Sequence, residues 1–243
     1  MSGKLIMVPT PVGNLNDMAP RSAAALASCD LILAEDTRTS SVLLNYLGVD
    51  TPMMSHHKFN EHDTLKTITD RLDSGDTICM ITDAGTPGIS DPGFLLSREC
   101  RRLNIAVETI PGPTAFVPAL VNSGLPTDRF CFEGFLPQKK GRATRIKEIS
   151  QQSCTSVIYE SPLRLVKTLE ALAAECGDDR EASVSREISK VHDTTVRGTL
   201  RELIDYFTQN NPRGEIVIVL SGKKSEKVVR VHKNKYRDEN DNI

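Results

Sequence analysis

The sequence predicts an α/β protein, and three observations support that class. Short apolar runs bounded by Gly, Pro and Asp alternate with amphipathic helical patterns along the chain. Several of those runs empty into a Gly/Pro-rich loop that opens a helix, the pattern of a βα unit with its loop at the carboxyl end of a strand. Gly124-Leu125-Pro126-Thr127-Asp128 then interrupts the pattern at mid-chain. A length of 243 residues suits one large domain or two of about 110–130. With the break taken as a linker, the expected units are 1–123 and 124–222, followed by a charged tail over 223–243.

The first unit opens with Leu5-Ile6-Met7-Val8, a buried strand. Pro9-Thr10-Pro11-Val12-Gly13-Asn14 is too rigid for helix, and a helix is expected over 18–27. The loop lacks G-x-G-x-x-G, which argues against a dinucleotide site. A second strand, 31–34, runs into Glu35-Asp36-Thr37-Arg38 and a helix through 47. Glu35 and Asp36 stand at the strand's carboxyl end; either Asp36 caps the helix or the charges of this loop face a substrate, and Arg38 can pair with either acid. A short strand at 53–55 precedes His56, His57 and His62. Adjacent histidines cannot both face one metal from a helix, and no cysteine completes a ligand set, so this stretch reads as a surface loop. A helix over 61–72 ends at Ser74-Gly75-Asp76.

The strand 77–81 leads into the richest loop of the chain, Thr82-Asp83-Ala84-Gly85-Thr86-Pro87-Gly88-Ile89-Ser90-Asp91-Pro92-Gly93, ahead of a helix over 94–103. Glycine lets a backbone approach a ligand closely and proline fixes φ, so this loop, with Asp83 and Thr86, is a ligand-cradle candidate. Strand 106–110 then meets Pro111-Gly112-Pro113-Thr114-Ala115 and a helix to 123. The loops after the strands near 8, 82 and 110 are expected to converge on one rim. None carries the G-x-x-x-x-G-K pattern of a P-loop.

The second unit starts with a strand over 130–134. Lys139, Lys140, Arg142, Arg145 and Lys147 follow, with no acid before Glu148. Five cations in nine residues at a loop-to-helix junction, preceded by the aromatic Phe135 and containing the flexible Gly141, suit a phosphate backbone; the plainer alternative is a solvated helix start. Strand 156–159 turns at Glu160-Ser161-Pro162 into a helix over 163–175, with Ser161 as cap and Pro162 in the first turn. A hairpin pairs 181–186 with 194–199 across a turn carrying Glu187, Lys190 and His192. Helix 200–207 and strand 216–220, introduced by Arg213-Gly214-Glu215, complete the unit, and 238–243 is expected to fray.

A net charge of −2 excludes a uniformly basic nucleic-acid binder but not a local basic patch. The six cysteines form no C-x-x-C and read as reduced structural thiols of a cytosolic protein. No leader-like apolar stretch and no apolar run of about 18 residues is present, so neither a signal peptide nor a membrane span is expected.

Taken in register, several motifs carry a resemblance. They are 8–15 (VPTPVGNL), 34–38 (AEDTR), 82–87 (TDAGTP) with 89–93 (ISDPG), 110–115 (IPGPTA), 123–126 (SGLP), 132–137 (FEGFLP), 159–162 (YESP), Arg186-Glu187, 197–199 (RGT) and 214–216 (GEI). Running in order over about residues 4–222, they resemble the ribosomal RNA small subunit methyltransferase I family of the tetrapyrrole methylase superfamily. The resemblance implies two α/β domains, each a mixed sheet flanked by helices, with S-adenosylmethionine (SAM) in the cleft between them. It also implies a cytoplasmic homodimer, no metal, and 2′-O-methylation of a cytidine ribose in the decoding region of 16S ribosomal RNA in the small ribosomal subunit. The implied cofactor residues are Pro11, Val12, Gly13, Asp83, Ala84, Gly85, Thr86, Pro87, Thr114, Ala115, Tyr159, Glu160, Gly214, Glu215 and Ile216.

Two features depart from the family pattern. The chain shows only a short charged tail where longer members carry a helical domain, and it reads Lys190-Val191-His192-Asp193-Thr194 where many read Lys-Lys-Phe-Glu-Glu.

Methyl transfer is an in-line displacement governed by positioning, and a ribose hydroxyl needs a proton acceptor or a cation beside the developing alkoxide. The candidates are Asp36, Glu160 and Glu187 as acceptors, Glu187 first, with Arg38, Arg186 and Lys190 as orienting cations. Glu187 and Lys190 also fit a plain i,i+3 surface pair. Two other functions compete. One is C-methylation of a tetrapyrrole precursor, which the basic stretch and the Asp83-Ala84-Gly85-Thr86-Pro87 loop disfavour. The other is a ribosome-associated nucleotide-binding module without turnover.

Overall fold

The computed structural model describes residues 3–224; the expected tail beyond Lys224 lies outside this range. The chain builds two five-stranded sheets. The first is parallel throughout, in the order β3-β2-β4-β1-β5, from β1 (Lys4–Met7), β2 (Leu31–Ala34), β3 (Met53–Ser55), β4 (Thr77–Ile81) and β5 (Ala106–Thr109).

Strand periodicity assigns its two faces. Leu5 and Met7 point to the side where α3 (Glu61–Asp73) and α4 (Phe94–Arg102) supply Ile68, Leu72, Leu96 and Cys100. Ile6 and Val8 point to the side where α1 (Pro20–Ser28) and α2 (Thr37–Leu47) supply Leu26 and Leu44. With helices on both faces, β2 is buried along its whole length, which is why it reads as a continuous apolar run.

The connection after β1 passes over one face to reach β2, and the connection after β4 passes over the other to reach β5. The loops leaving the adjacent strands β1 and β4 therefore diverge, which makes their carboxyl ends a topological switch point. Pro20 takes the first position of α1, so that helix starts later than the apolar pattern predicts, and Leu15–Asp17 forms a separate 3-10 turn.

The second sheet is mixed, in the order β6-β7-β10-β8-β9, from β6 (Phe130–Phe135), β7 (Thr155–Glu160), β8 (Glu181–Arg186), β9 (Thr194–Thr199) and β10 (Ile216–Leu220). Only β6 and β7 run parallel; the predicted 181–186/194–199 hairpin is present as β8 and β9. Helices α6 (Arg142–Gln151), α7 (Leu165–Cys176) and α8 (Leu200–Gln209) close one face over Ile158, Val184 and Ile218. Helix α5 (Phe116–Ser123), which the sequence groups with the first half, packs Ala119 and Leu120 on the other face against Val157, Val217 and Val219. A capping box at Thr199 and Glu202 starts α8. Pro162–Arg164 forms a 3-10 turn, so α7 begins at Leu165 rather than in the Pro162 turn.

One sequence expectation is corrected in the 56–62 loop. His56 is fully buried rather than on a surface loop, its Nδ1 lies 2.8 Å from Thr64 Oγ1, and burial, aided by His57, lowers its pKa to about 4. All six cysteines are free thiols, with the Cys131 and Cys154 Sγ atoms 3.4 Å apart.

Candidate active site

The loops leaving β1 and β4 are joined at the switch point. Thr10 N–H donates to the Gly85 carbonyl at 2.9 Å, Gly85 N–H donates back to Thr10 at 3.0 Å, and Thr10 Oγ1 donates to the Thr82 carbonyl at 3.1 Å. Gly85 holds φ 86°, a left-handed conformation that favours glycine. Thr86 Oγ1 then donates to the Pro113 carbonyl at 2.9 Å, tying in the loop after β5. The three loops do converge, as their composition predicts.

Facing them are the ends of β6, β7 and β10 and the turn after β8, and between the two sets lies a cleft of about 420 Å³. Of the residues assigned to a cofactor from the sequence, Val12, Asp83, Ala84, Gly85, Thr86, Thr114, Ala115, Tyr159, Glu160, Gly214, Glu215 and Ile216 line it. Pro11, Gly13 and Pro87 do not. A Cβ on Gly13 would fall 2.3 Å from Lys190 Cγ, so this glycine admits the Lys190 stem, and Pro87 is buried. The cleft also takes in Glu35, from the loop whose charges were expected to cap a helix or face a substrate, and Ser90, Asp91, Phe135 and Ile188, which were not assigned to the cofactor. Ser90 and Asp91 belong to the loop already marked as a cradle and Phe135 to the 132–137 motif that precedes the basic stretch, whereas nothing in the sequence marks Ile188.

The lining carries five acids, Glu35, Asp83, Asp91, Glu160 and Glu215, and no lysine or arginine. Burial, then the neighbouring charge of Asp83, raises the Glu35 pKa. Burial, then Asp36, does the same to Asp83. Asp91 is pushed up to about 7 by burial and by the charges of Glu35, Asp83 and Glu215. Burial also lifts the Tyr159 phenol to about 12. Glu160 behaves oppositely. Burial pushes it up, but hydrogen bonds from Thr168, the Ser161 N–H, Arg164 and Arg142 outweigh that and hold its carboxyl below the ordinary range.

The six side chains proposed for proton transfer or charge stabilisation do not assemble in the cleft. Asp36 caps α2 through the Arg38 N–H at 2.9 Å and pairs with the 89% exposed Arg38 at 2.7 Å, the plainer of its two readings. Arg186 donates to the His192 carbonyl and to Thr194 Oγ1. Glu187 accepts from Lys190 Nζ at 2.9 Å and from the Glu215 N–H at 3.0 Å, pinning the turn after β8 to the strand entry at Gly214. Only Glu160 lines the cleft, and its carboxylate is engaged by the four donors above.

The basic stretch divides as well. Arg142 pairs with the buried Glu160 at 3.2 Å, and Arg145 bonds Glu133 and Glu148, each at 2.7 Å. Lys139, Lys140 and Lys147 are exposed. Among the described residues, no group of three or more His, Cys, Asp or Glu could hold a metal ion, and no helix is long and apolar enough to cross a membrane.

Residues 4–204 match the family model described as Tetrapyrrole (Corrin/Porphyrin) Methylases. The chain is 44% identical to the ribosomal RNA small subunit methyltransferase I of Synechocystis sp. over 98% of its own length and 85% of that protein. It is 43% identical to the Thermotoga maritima protein of the same name over 91% of its own length and 99% of that protein. Among solved structures it is similar to diphthine synthase (TM-score 0.69, 13% identity, 90% of each chain). It is also similar to the methyltransferase CobJ (TM-score 0.67, 16% identity, 94% of this chain and 97% of the other). At these identities the two structures speak to the fold alone.

Proposed function

We propose, from the premise that this chain belongs to the tetrapyrrole methylase family and within it to the ribosomal RNA small subunit methyltransferases I, that it transfers a methyl group from SAM to the 2′-oxygen of a cytidine ribose in 16S ribosomal RNA. The observation that carries the reading is the acidic cleft itself, walled by loops from both sheets. SAM fits it. Glu160 is paired to Arg142 and Arg164, and Glu215 to Lys190. The cleft carboxyls of Glu35, Asp83 and Asp91, which pair with no lysine or arginine among the described residues, suit a positively charged sulfonium. The positive-φ Gly85 allows close backbone approach, and Val12, Ala84, Ala115 and Ile216 offer apolar surface to the nucleoside.

SAM supplies the activated methyl group; the chain's residues supply position and proton transfer. Glu35 and Asp83 oppose the cofactor's positive charge. Asp91, the cleft acid whose pKa lies near neutrality, accepts the proton of the attacking hydroxyl. Asp91 thus takes the role that sequence reasoning gave first to Glu187, whose carboxylate is committed to Lys190 and the Glu215 N–H. The acidic cleft repels a phosphate backbone, so the RNA phosphates stay outside it, and the exposed Lys139, Lys140 and Lys147 are the cations proposed to receive them. Cytoplasmic location and a homodimer belong to the same proposal, as does the decoding region of the small subunit as target.

The test offers labelled SAM to the protein with two competing acceptors, small ribosomal subunits and a tetrapyrrole precursor. Label in the RNA is the expected result; label in the pigment alone would assign the chain to the pigment methylases.

A further inference from the structure

The geometry points to Phe135 as the stacking platform for the base of the nucleotide being methylated, an assignment that rests on the RNA methyltransferase reading above. The first observation is a β-bulge. Phe132 pairs with Val157, Gly134 with Ile158 and Phe135 with Tyr159, leaving Glu133 as an extra residue in β6. Without it, strict alternation would turn Phe135 toward α6 and α7; with it, Phe135 shares the cleft-side face with Phe132 and Tyr159. The bulge is matched to the opposite wall. Gly134 sits at φ 59°, and a Cβ there would fall 2.6 Å from the Oγ of Ser90, a cleft residue of the long β4 loop.

The second observation is how the ring is held. Phe135 lines the cleft yet is 56% exposed. Its ring meets Tyr159 edge-on at 5.5 Å, Tyr159 meets Phe132 at 5.1 Å, and Phe132 meets Phe116 at 4.8 Å. A row of packed aromatics thus braces an aromatic ring left largely open at the cleft mouth.

The third is charge. Leu136, buried, anchors the chain directly after Phe135, and the exposed Lys139 and Lys140 follow. A nucleotide needs a flat apolar surface for its base and cations for its phosphates, and RNA enzymes and readers take unstacked bases onto aromatic side chains. A base on Phe135 leaves its phosphates toward the lysines and its ribose at the entrance to the acidic cleft.

The chain has no tryptophan, so Phe135→Trp also places a single reporter at this position. Methyl transfer from SAM to small ribosomal subunits is measured for wild type, Phe135→Ala, Phe135→Leu and Phe135→Trp, with SAM affinity measured separately by calorimetry. Loss of one base stack is expected to raise the KM for subunits by about 10- to 100-fold in the Ala and Leu variants. SAM affinity should stay within twofold, Phe135→Trp should keep a near-wild-type KM, and its emission should not respond to SAM alone. An unchanged KM in Phe135→Ala overturns the assignment. So does a parallel loss of SAM affinity or a SAM-induced change in Trp emission, either of which would place the ring on the cofactor. Full rescue by Leu would reduce it to apolar packing. These outcomes all presuppose wild-type transfer to RNA; its absence would instead overturn the function reading, and this assignment with it.

Discussion

Thr10 and Gly85 exchange two backbone hydrogen bonds, at 2.9 and 3.0 Å, between loops that leave adjacent parallel strands toward opposite faces of the first sheet. This bridge turns a switch point into a fixed wall, because each loop supplies the partner for the other's backbone groups. Its rigidity is what lets the Asp83-to-Asp91 segment present a defined surface to a ligand.

Gly85→Val tests that wall. A Cβ at this position meets only ordinary contacts, Val12 Cγ1 at 3.6 Å and the Pro113 carbonyl at 3.8 Å, so the cost falls on the backbone at φ 86°. A β-branched residue held there costs about 1–3 kcal/mol. The expected outcome is a lower melting temperature and SAM binding weakened at least tenfold by calorimetry. Unchanged binding would remove the loop from the cofactor site.

Asp91 makes the proposed reaction pH-dependent. Its pKa lies near 7, and the carboxylate is the form that accepts a proton, so kcat/KM for SAM should rise as pH climbs through 7. Asp91→Asn should flatten that rise and lower kcat by about 100-fold or more. The same shift acts on stability with the opposite sign. The folded protein retains a proton that the unfolded chain releases above about pH 4, so stability falls as pH rises from there toward 7. Without ligand, Asp91→Asn should therefore melt higher than wild type above pH 7.

Glu160 shows the reverse linkage. It is 2% exposed and bonded by Arg142, Arg164, Thr168 and the Ser161 N–H, and its lowered pKa stabilises the fold above the ordinary glutamate range. Glu160→Gln should cost about 1–3 kcal/mol at pH 7 by chemical denaturation. The difference should shrink as pH falls below about 4, where wild type also protonates this group. A pH-independent difference would contradict the ion-pair account.

Glu187→Gln separates positioning from proton transfer. Glutamine can still accept from the Glu215 N–H through its amide oxygen but cannot act as a base. The expected kcat stays within about fivefold of wild type; a fall of 100-fold or more, the range for loss of a general base, would restore Glu187 as the acceptor.

The strand and helix order was legible because each element carries its own periodicity and its own stop signal, such as Gly48 closing α2 at φ 65°. The cradle loops were legible for the same local reason: Gly and Pro constrain the backbone wherever they occur. What stayed hidden depended on tertiary partners. The sequence cannot show that Arg142 and Arg145 reach the side chains of Glu160 and Glu133, so a run of five cations reads as one free surface when two of its members are paired with acids. Nor does it show that the extra residue Glu133 turns Phe135 toward the cleft, since a bulge is defined by the strand beside it. Burial of His56 is likewise set by the fold around β3 and α3, not by its polar neighbours in sequence.

The central claim, that the acidic cleft serves methylation of a ribose in small-subunit RNA, is tested most directly by mapping the product. Small ribosomal subunits from cells lacking this protein are incubated with labelled SAM and either the wild type or Gly85→Val. The RNA is then digested to locate nuclease-resistant 2′-O-methylated positions. The account predicts one labelled cytidine ribose in the decoding region with wild type and strongly reduced label with Gly85→Val. Label on a base, or transfer that Gly85→Val leaves at the wild-type rate, would contradict it.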